Sequence, residues 1–230
     1  MNTPVSNQFS TLRKYLLKNE SETLLIASIA FSCFLVLLRM LVTGQIVFTF
    51  LVWNLFLAAI PYIISRYCWL HFHLVKSRLI LIPLFVAWIL FIPNSFYILT
   101  DLFHLGNTGN APLWYDLLVI LSFAWNGLIL GLLSVRHMEK VFQSTFRTSH
   151  ELLFLYPVMW LNAFGVYIGR YLRFNSWDII TSPFRLLMDV VDILIHPMDN
   201  KNALAMAMTW SVFMTLIYLI IKKISRYIGH

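Results

Sequence analysis

The sequence predicts an all-α fold: a polytopic transmembrane helix bundle of about six spans, with a broken third span and an outer amphipathic helix at the membrane interface. Three observations lead there. Of 230 residues, 60% are hydrophobic and only 12% charged, with a mean hydropathy of +0.76; an ordinary soluble domain carries about 25% charged residues. A soluble fold of this size leaves a large share of its area facing water and cannot hide so much apolar surface. Apolar runs of about 20 residues, the length that crosses a bilayer at 1.5 Å per residue, recur along the chain. Finally, the basic residues alternate between the loops as a membrane topology requires.

Residues 1–22 read as a cytoplasmic tail and 23–222 as one membrane domain. Arg13, Lys14 and Lys18 precede an apolar run too long for a signal-peptide core, and no small-x-small cleavage site follows, so the run is expected to be a first membrane helix. The expected spans are 23–43, 45–65, 78–100, 113–135, 152–172 and 202–221. With the N-terminus inside, only Arg39, Arg170, Arg173, Arg185 and Lys201 of the 17 Lys and Arg fall on the outer side. Lys and Arg mark cytoplasmic loops, which fixes both termini as cytoplasmic. The formal net charge of +7 is thereby explained by topology, with no nucleic-acid partner implied.

The third span differs from the others. Its uninterrupted apolar part, 79–92, covers only ~21 Å of a ~30 Å hydrocarbon core before Pro93-Asn94-Ser95. Proline removes a backbone donor and disfavours helix at the residue before it. The helix is therefore expected to break there and restart through Asp101 and His104. Broken helices persist at membrane depth only where protein or a wet cavity covers them, and they often line binding sites.

The outer loop, 174–201, holds a further helix. Ser182-Pro183 is an N-cap and N1 pair. Apolar residues follow at helical spacing, Arg185, Asp189, Asp192 and His196 form the opposite stripe, and Pro197 ends it. Too short and too charged to span, it should lie on the membrane surface, with Arg185 paired to Asp189 and Asp192 to His196. Cys33 and Cys68 should occupy different environments and stay unpaired. No internal repeat is evident.

Ionisable and amide groups within spans are costly and tend to face the bundle interior. In span two, Asn54, Ala58, Pro61 and Ser65 share one face. In span four, Asn126 stands beside the pair Gly127 and Gly131. In span five, Asn162, Gly165, Gly169 and Arg173 align. Small residues at such spacing let helices approach closely, so spans two, four and five should form the packed centre. The ionisable groups gather at the outer end: Asp101 and His104 after the broken span, Asp116 opening the fourth, and Arg170, Arg173 and Asp178 closing the fifth. Together with Asn54, Asn94 and Asn126 they form the candidate ligand-binding set. One reading is a structural network joining Asp101 or Asp116 to Arg170 or Arg173. Another is a cavity in which the arginines clamp an anion. A metal site from Asp101, His104, Asp116 and Asp178, or acid–base chemistry by Asp101 and His104, has only the weak D-x-x-H spacing behind it. No nucleophile elbow, HExxH or P-loop is present, and neither metal nor cofactor is implied.

These residues also carry a resemblance. Residues 53–58, 93–105, 114–116, 122–127, Gly169-Arg170 and 175–178 resemble an uncharacterised family of bacterial multi-pass membrane proteins, domain of unknown function 1361. The Pro93-Asn94 to Thr100-Asp101-Leu102-Phe103-His104-Leu105 stretch is the most specific part; Phe96 departs from the proline frequent in that family. The resemblance implies a bacterial inner-membrane location and no activity. The function expected is the binding or passage of a small polar or anionic ligand at an outer-leaflet site. The alternatives are a membrane-embedded enzyme acting on a lipid-linked or envelope substrate, and an accessory subunit of a membrane complex whose protein partner is unknown.

Overall fold

In the computed structural model, which describes residues 4–75, 77–106, 111–146, 150–174 and 178–228, the chain is helical almost throughout. The helices are α1 (Pro4–Thr43), α2 (Thr49–Leu70), a short α3 (Phe72–Val75), α4 (Arg78–Tyr97), a 3-10 helix (Ile98–His104), α5 (Leu113–Phe146), α6 (Glu151–Tyr171), a short α7 (Asp178–Thr181), α8 (Pro183–Ile195) and α9 (Lys201–Ile228). Among the described residues, six stretches are long and apolar enough to cross a bilayer: Glu22–Thr43, Thr49–Leu70, Arg78–His104, Leu113–Phe146, Glu151–Tyr171 and Lys201–Tyr227. The protein is an all-α, multi-pass integral membrane protein. Its exposed apolar side chains, such as Leu41, Val42 and Leu79, are those a bilayer covers.

The discontinuity of the third span lies elsewhere than expected. The α-helix runs through Pro93 to Tyr97 and then tightens into the 3-10 helix, which ends in a left-handed turn at Gly106 (φ 87°). The proline is tolerated because α6 presents no side chain opposite it. A β-carbon on Gly165 would stand 2.5 Å from Pro93 Cγ, and one on Gly169 would stand 3.3 Å from the Tyr97 ring. On the other side, β-carbons on Gly127 and Gly131 of α5 would meet Ile98 at 2.9 Å and Phe96 at 2.8 Å. The two GxxxG faces thus grip the same stretch, 93–98, from opposite sides. The packed centre therefore includes the third span, wedged between spans four and five, as well as the second.

Polar side chains lace this centre. Ser95 Oγ donates to the Ala58 carbonyl (3.0 Å), Trp88 Nε1 donates to Ser134 Oγ (2.8 Å), and Ser134 Oγ donates to the Pro61 carbonyl (2.9 Å). The small face of α2 thus accepts donors from both α4 and α5. Around it lie three apolar clusters. One centres on Trp88, Phe154, Met159 and Met214. A second, around Leu51, Phe123 and Ile98, brings in α1. The third joins Phe164 of α6 to Ile193 of α8 and Ala203 and Ala207 of α9.

Helix α8 has three sectors rather than two. Leu186, Val190 and Ile193 turn inward, while Phe184, Leu187, Met188, Val191 and Ile195 are exposed. Arg185, Asp189, Asp192 and His196 occupy the remaining stripe. Pro183 stands at the first turn as expected, but the Ser182 side chain makes no capping bond. His196 pairs with Asp192 (2.9 Å), whereas the Arg185 guanidinium lies over the Phe174 ring, 5.5 Å from its centroid, instead of pairing with Asp189. Cys33 and Cys68 are both free thiols.

Because Pro93 fills the space at Gly165, Gly165→Ala should lower stability by about 1–3 kcal/mol through overpacking. Gly169→Ala, where the aromatic ring has only to give slightly, should cost less. Thermal unfolding of the two variants in detergent micelles measures the difference.

Candidate functional site

The elements that build the site are α2, the end of α4 with its 3-10 extension, and the last turn of α6. In a 3-10 helix residues three apart eclipse one another. Asp101 therefore stacks above His104, and Tyr97, Thr100 and Phe103 form the neighbouring row. Arg170 of α6 reaches between the rows. Its Nε donates to Thr100 Oγ1 (3.0 Å), Nη1 to Tyr97 Oη (3.3 Å) and His104 Nε2 (3.2 Å), and Nη2 to Asp101 Oδ1 (3.0 Å). The guanidinium also covers the rings of Tyr97 and Phe103, 4.8 and 5.6 Å from their centroids. Asp101, 1% exposed, completes the network by accepting from Asn54 Nδ2 through its other oxygen (2.9 Å). A buried carboxylate is stable only when paired and hydrogen-bonded in this way.

A guanidinium has donors only, so in its contact with Arg170 the His104 Nε2 is the accepting atom.

Beside the network opens a cleft of about 530 Å³ between α2, α4 and α6, closed on one side by α8. Asn54, Asn94 and Tyr97 supply polar groups to its wall; Trp53, Trp160 and Phe164 supply aromatic surface. The Asn94 side chain also donates to the Phe91 carbonyl (2.9 Å). Asn54 and Tyr97 belong to cleft and network alike.

The other expected site residues go elsewhere. Asp116 pairs with Arg39 of α1 (2.7 and 3.2 Å), both side chains being buried, rather than with Arg170 or Arg173. The choice of arginine depended on α1 lying against α5. Asn126 also faces α1, donating to Ser32 Oγ (2.9 Å) and the Ser28 carbonyl (3.2 Å). Arg173 lies past the end of α6, exposed, at φ 57°. It occupies the left-handed position that terminates a helix, so it does not continue the face of Asn162, Gly165 and Gly169. Asp178 sits in α7 and accepts from the Thr181 hydroxyl (3.1 Å). Among the described residues no group of three or more His, Cys, Asp and Glu comes together as a metal-ligand set.

Residues 53–220 match the family model described as Protein of unknown function (DUF1361). The chain belongs to this family. No curated protein matches it, and no solved structure does. The stretch matched to DUF1361 contains Asn54, Tyr97, Thr100, Asp101, His104 and Arg170, hence the whole network, whereas Arg39 lies outside it.

A second buried network lies at the opposite end and escapes a reading by depth alone. Glu139 of α5 accepts from Lys222 and Tyr218 of α9, from Arg136 (3.1 Å) and from Gln143 (3.0 Å), and Lys222 also bonds Glu151 of α6. Not all buried charge is therefore at the Asp101 end. The signal that could have revealed it is the helical phase of Arg136, Glu139 and Gln143, continuing beyond the nominal end of the fourth span.

Removing Arg170 would leave Asp101 buried without its cation. Arg170→Met should cost about 3–5 kcal/mol, and Asp101→Asn combined with Arg170→Met should cost clearly less than the sum of the single changes. A double-mutant cycle by thermal unfolding tests this.

Proposed function

We propose that the protein sits in a bacterial inner membrane with both termini in the cytoplasm, and binds or passes a small ligand bearing a polar group through the cleft beside Asp101, at the outer leaflet. The observation that carries this reading is the double membership of Asn54 and Tyr97. Each lines the cleft and each is bonded to the buried pair, Asn54 to Asp101 and Tyr97 to Arg170. An occupant of the cleft therefore touches groups whose orientation is already fixed, as a selective site requires. The cleft volume falls within the roughly 300–1,000 Å³ usual for small-molecule sites.

Arg170 acts here as an organiser rather than as a direct anion clamp, because four of its five N–H donors are directed at the chain's own acceptors. Ligand binding is preferred to acid–base catalysis for a related reason. A catalytic base must offer its lone pair to substrate, and that of His104 Nε2 faces Arg170. The proposed orientation rests on the excess of Lys and Arg on the Glu139 side.

Two measurements test the reading. Purified protein screened against charged, polar and amphipathic small molecules should show a thermal shift of several degrees with at least one class, since a ligand at 100 times its Kd adds about 2.7 kcal/mol. Asn54→Leu should abolish that shift; absence of any shift across the classes would overturn the proposal. In a background lacking Cys33 and Cys68, a membrane-impermeant maleimide should label Trp114→Cys in intact cells and Tyr227→Cys only after lysis. The reverse pattern would invert the topology.

A further inference from the structure

Among the described residues, the cleft lining includes no Asp, Glu, Lys, Arg or His side chain; its polar groups there are the amides of Asn54 and Asn94, the Tyr97 hydroxyl and the indoles of Trp53 and Trp160. Arg170, the cation bonded to the lining residue Tyr97, is balanced by Asp101 at 3.0 Å. Arg185, stacked on Phe174, stands on an exposed helix face and does not line the cleft. A phosphate or carboxylate entering here would lose its hydration and meet no countercharge, which is heavily unfavourable. An alcohol, ester or amide would meet donors and acceptors matched to it.

The rest of the wall is hydrocarbon. Ile89, Leu90, Leu57 and Leu161 continue the cleft along the bundle, and Leu90 and Leu161 remain exposed on its rim. Leu186 and Val190 of α8 close it on another side. Helix α8 presents a charged stripe and an exposed apolar sector, the pattern of a helix lying in the membrane interface. The polar groups beside it therefore stand near headgroup depth, and the apolar rim opens toward lipid chains.

We propose that the ligand of this cleft is an uncharged lipid: a hydrocarbon chain ending in a hydroxyl or ester group, with that group against Asn54, Asn94 and Tyr97 and the chain along Leu90 and Leu161. The inference rests on the cleft being the binding site and adds the ligand's chemical class. The ligand enters sideways from the bilayer, without crossing water.

Full-length protein in phosphatidylcholine nanodiscs should be exposed to three chain-matched photoactivatable probes: a diacylglycerol, a phosphatidic acid and an alkyl-trimethylammonium. Adducts are then mapped by mass spectrometry. The diacylglycerol probe should label Leu90 and Leu161 at least fivefold above Leu37 and Leu41 on the lipid-facing side of α1, and unlabelled diacylglycerol, but not phosphatidic acid, should compete. Preferential cleft labelling by either charged probe would overturn the ligand class while leaving the cleft a binding site. Labelling at the cleft no stronger than on α1, for every probe, would overturn both readings.

Discussion

A guanidinium held among transmembrane helices must find acceptors for its donors, and the centre of this bundle is arranged around that requirement at Arg170. The acceptors come from one short segment, Tyr97 to His104, wound as a 3-10 helix from Ile98 onward. The tighter winding brings two rows of side chains to the same cation. That segment stays in place because the preceding turn is gripped between Gly127 and Gly131 on one side and Gly165 and Gly169 on the other. In lipid, where apolar burial gives little drive for helix association, such close backbone contact and interhelical hydrogen bonding hold helices together. The glycines and the ion pair therefore depend on each other: close approach sets the reach of Arg170, and the pair fixes the register of the approach.

How much of this can be read from residues alone follows from the range of the interactions. The six spans were legible because hydropathy is summed over some 20 neighbours. The shared face of Asp101 and His104 was legible because a spacing of three aligns them, while the choice between Arg170 and Arg173 as their cation stayed open. The partner of Asp116 was not, since Arg39 lies 77 positions away in a span outside the expected packed centre. The break expected at Pro93 came out as a change of winding at Ile98, because the missing side chain at Gly165 accommodates the ring, and no local rule reports a groove on another helix. Glu139 and Lys222 were assigned to loops because the spans were cut to bilayer length. Helices α5 and α9 run on, and their extra turns bury charge against protein.

Helix α8 sets a depth scale for the cleft. A helix with a charged stripe, a protein-facing sector and an exposed apolar sector has one comfortable position: lying across the boundary where water gives way to chains. Ile193 is buried against Phe164, Ala203 and Ala207, which fixes α8 to α6 and α9. The same helix supplies Leu186 and Val190 to the cleft. Its packing against α6 and α9 is thus felt directly by the cleft wall.

Helix α5 carries an ion pair near each extremity: Asp116 with Arg39 at one, Glu139 with Lys222 at the other, about 35 Å further along the axis at 1.5 Å per residue. A rod bolted at both ends can neither slide nor swivel unless both fastenings open together. A ratchet by one turn, ~5.4 Å, would strand charges at the two membrane faces at once. Helix α5 is therefore the keel of the molecule, the fixed frame against which α1 and α9 are held by charge.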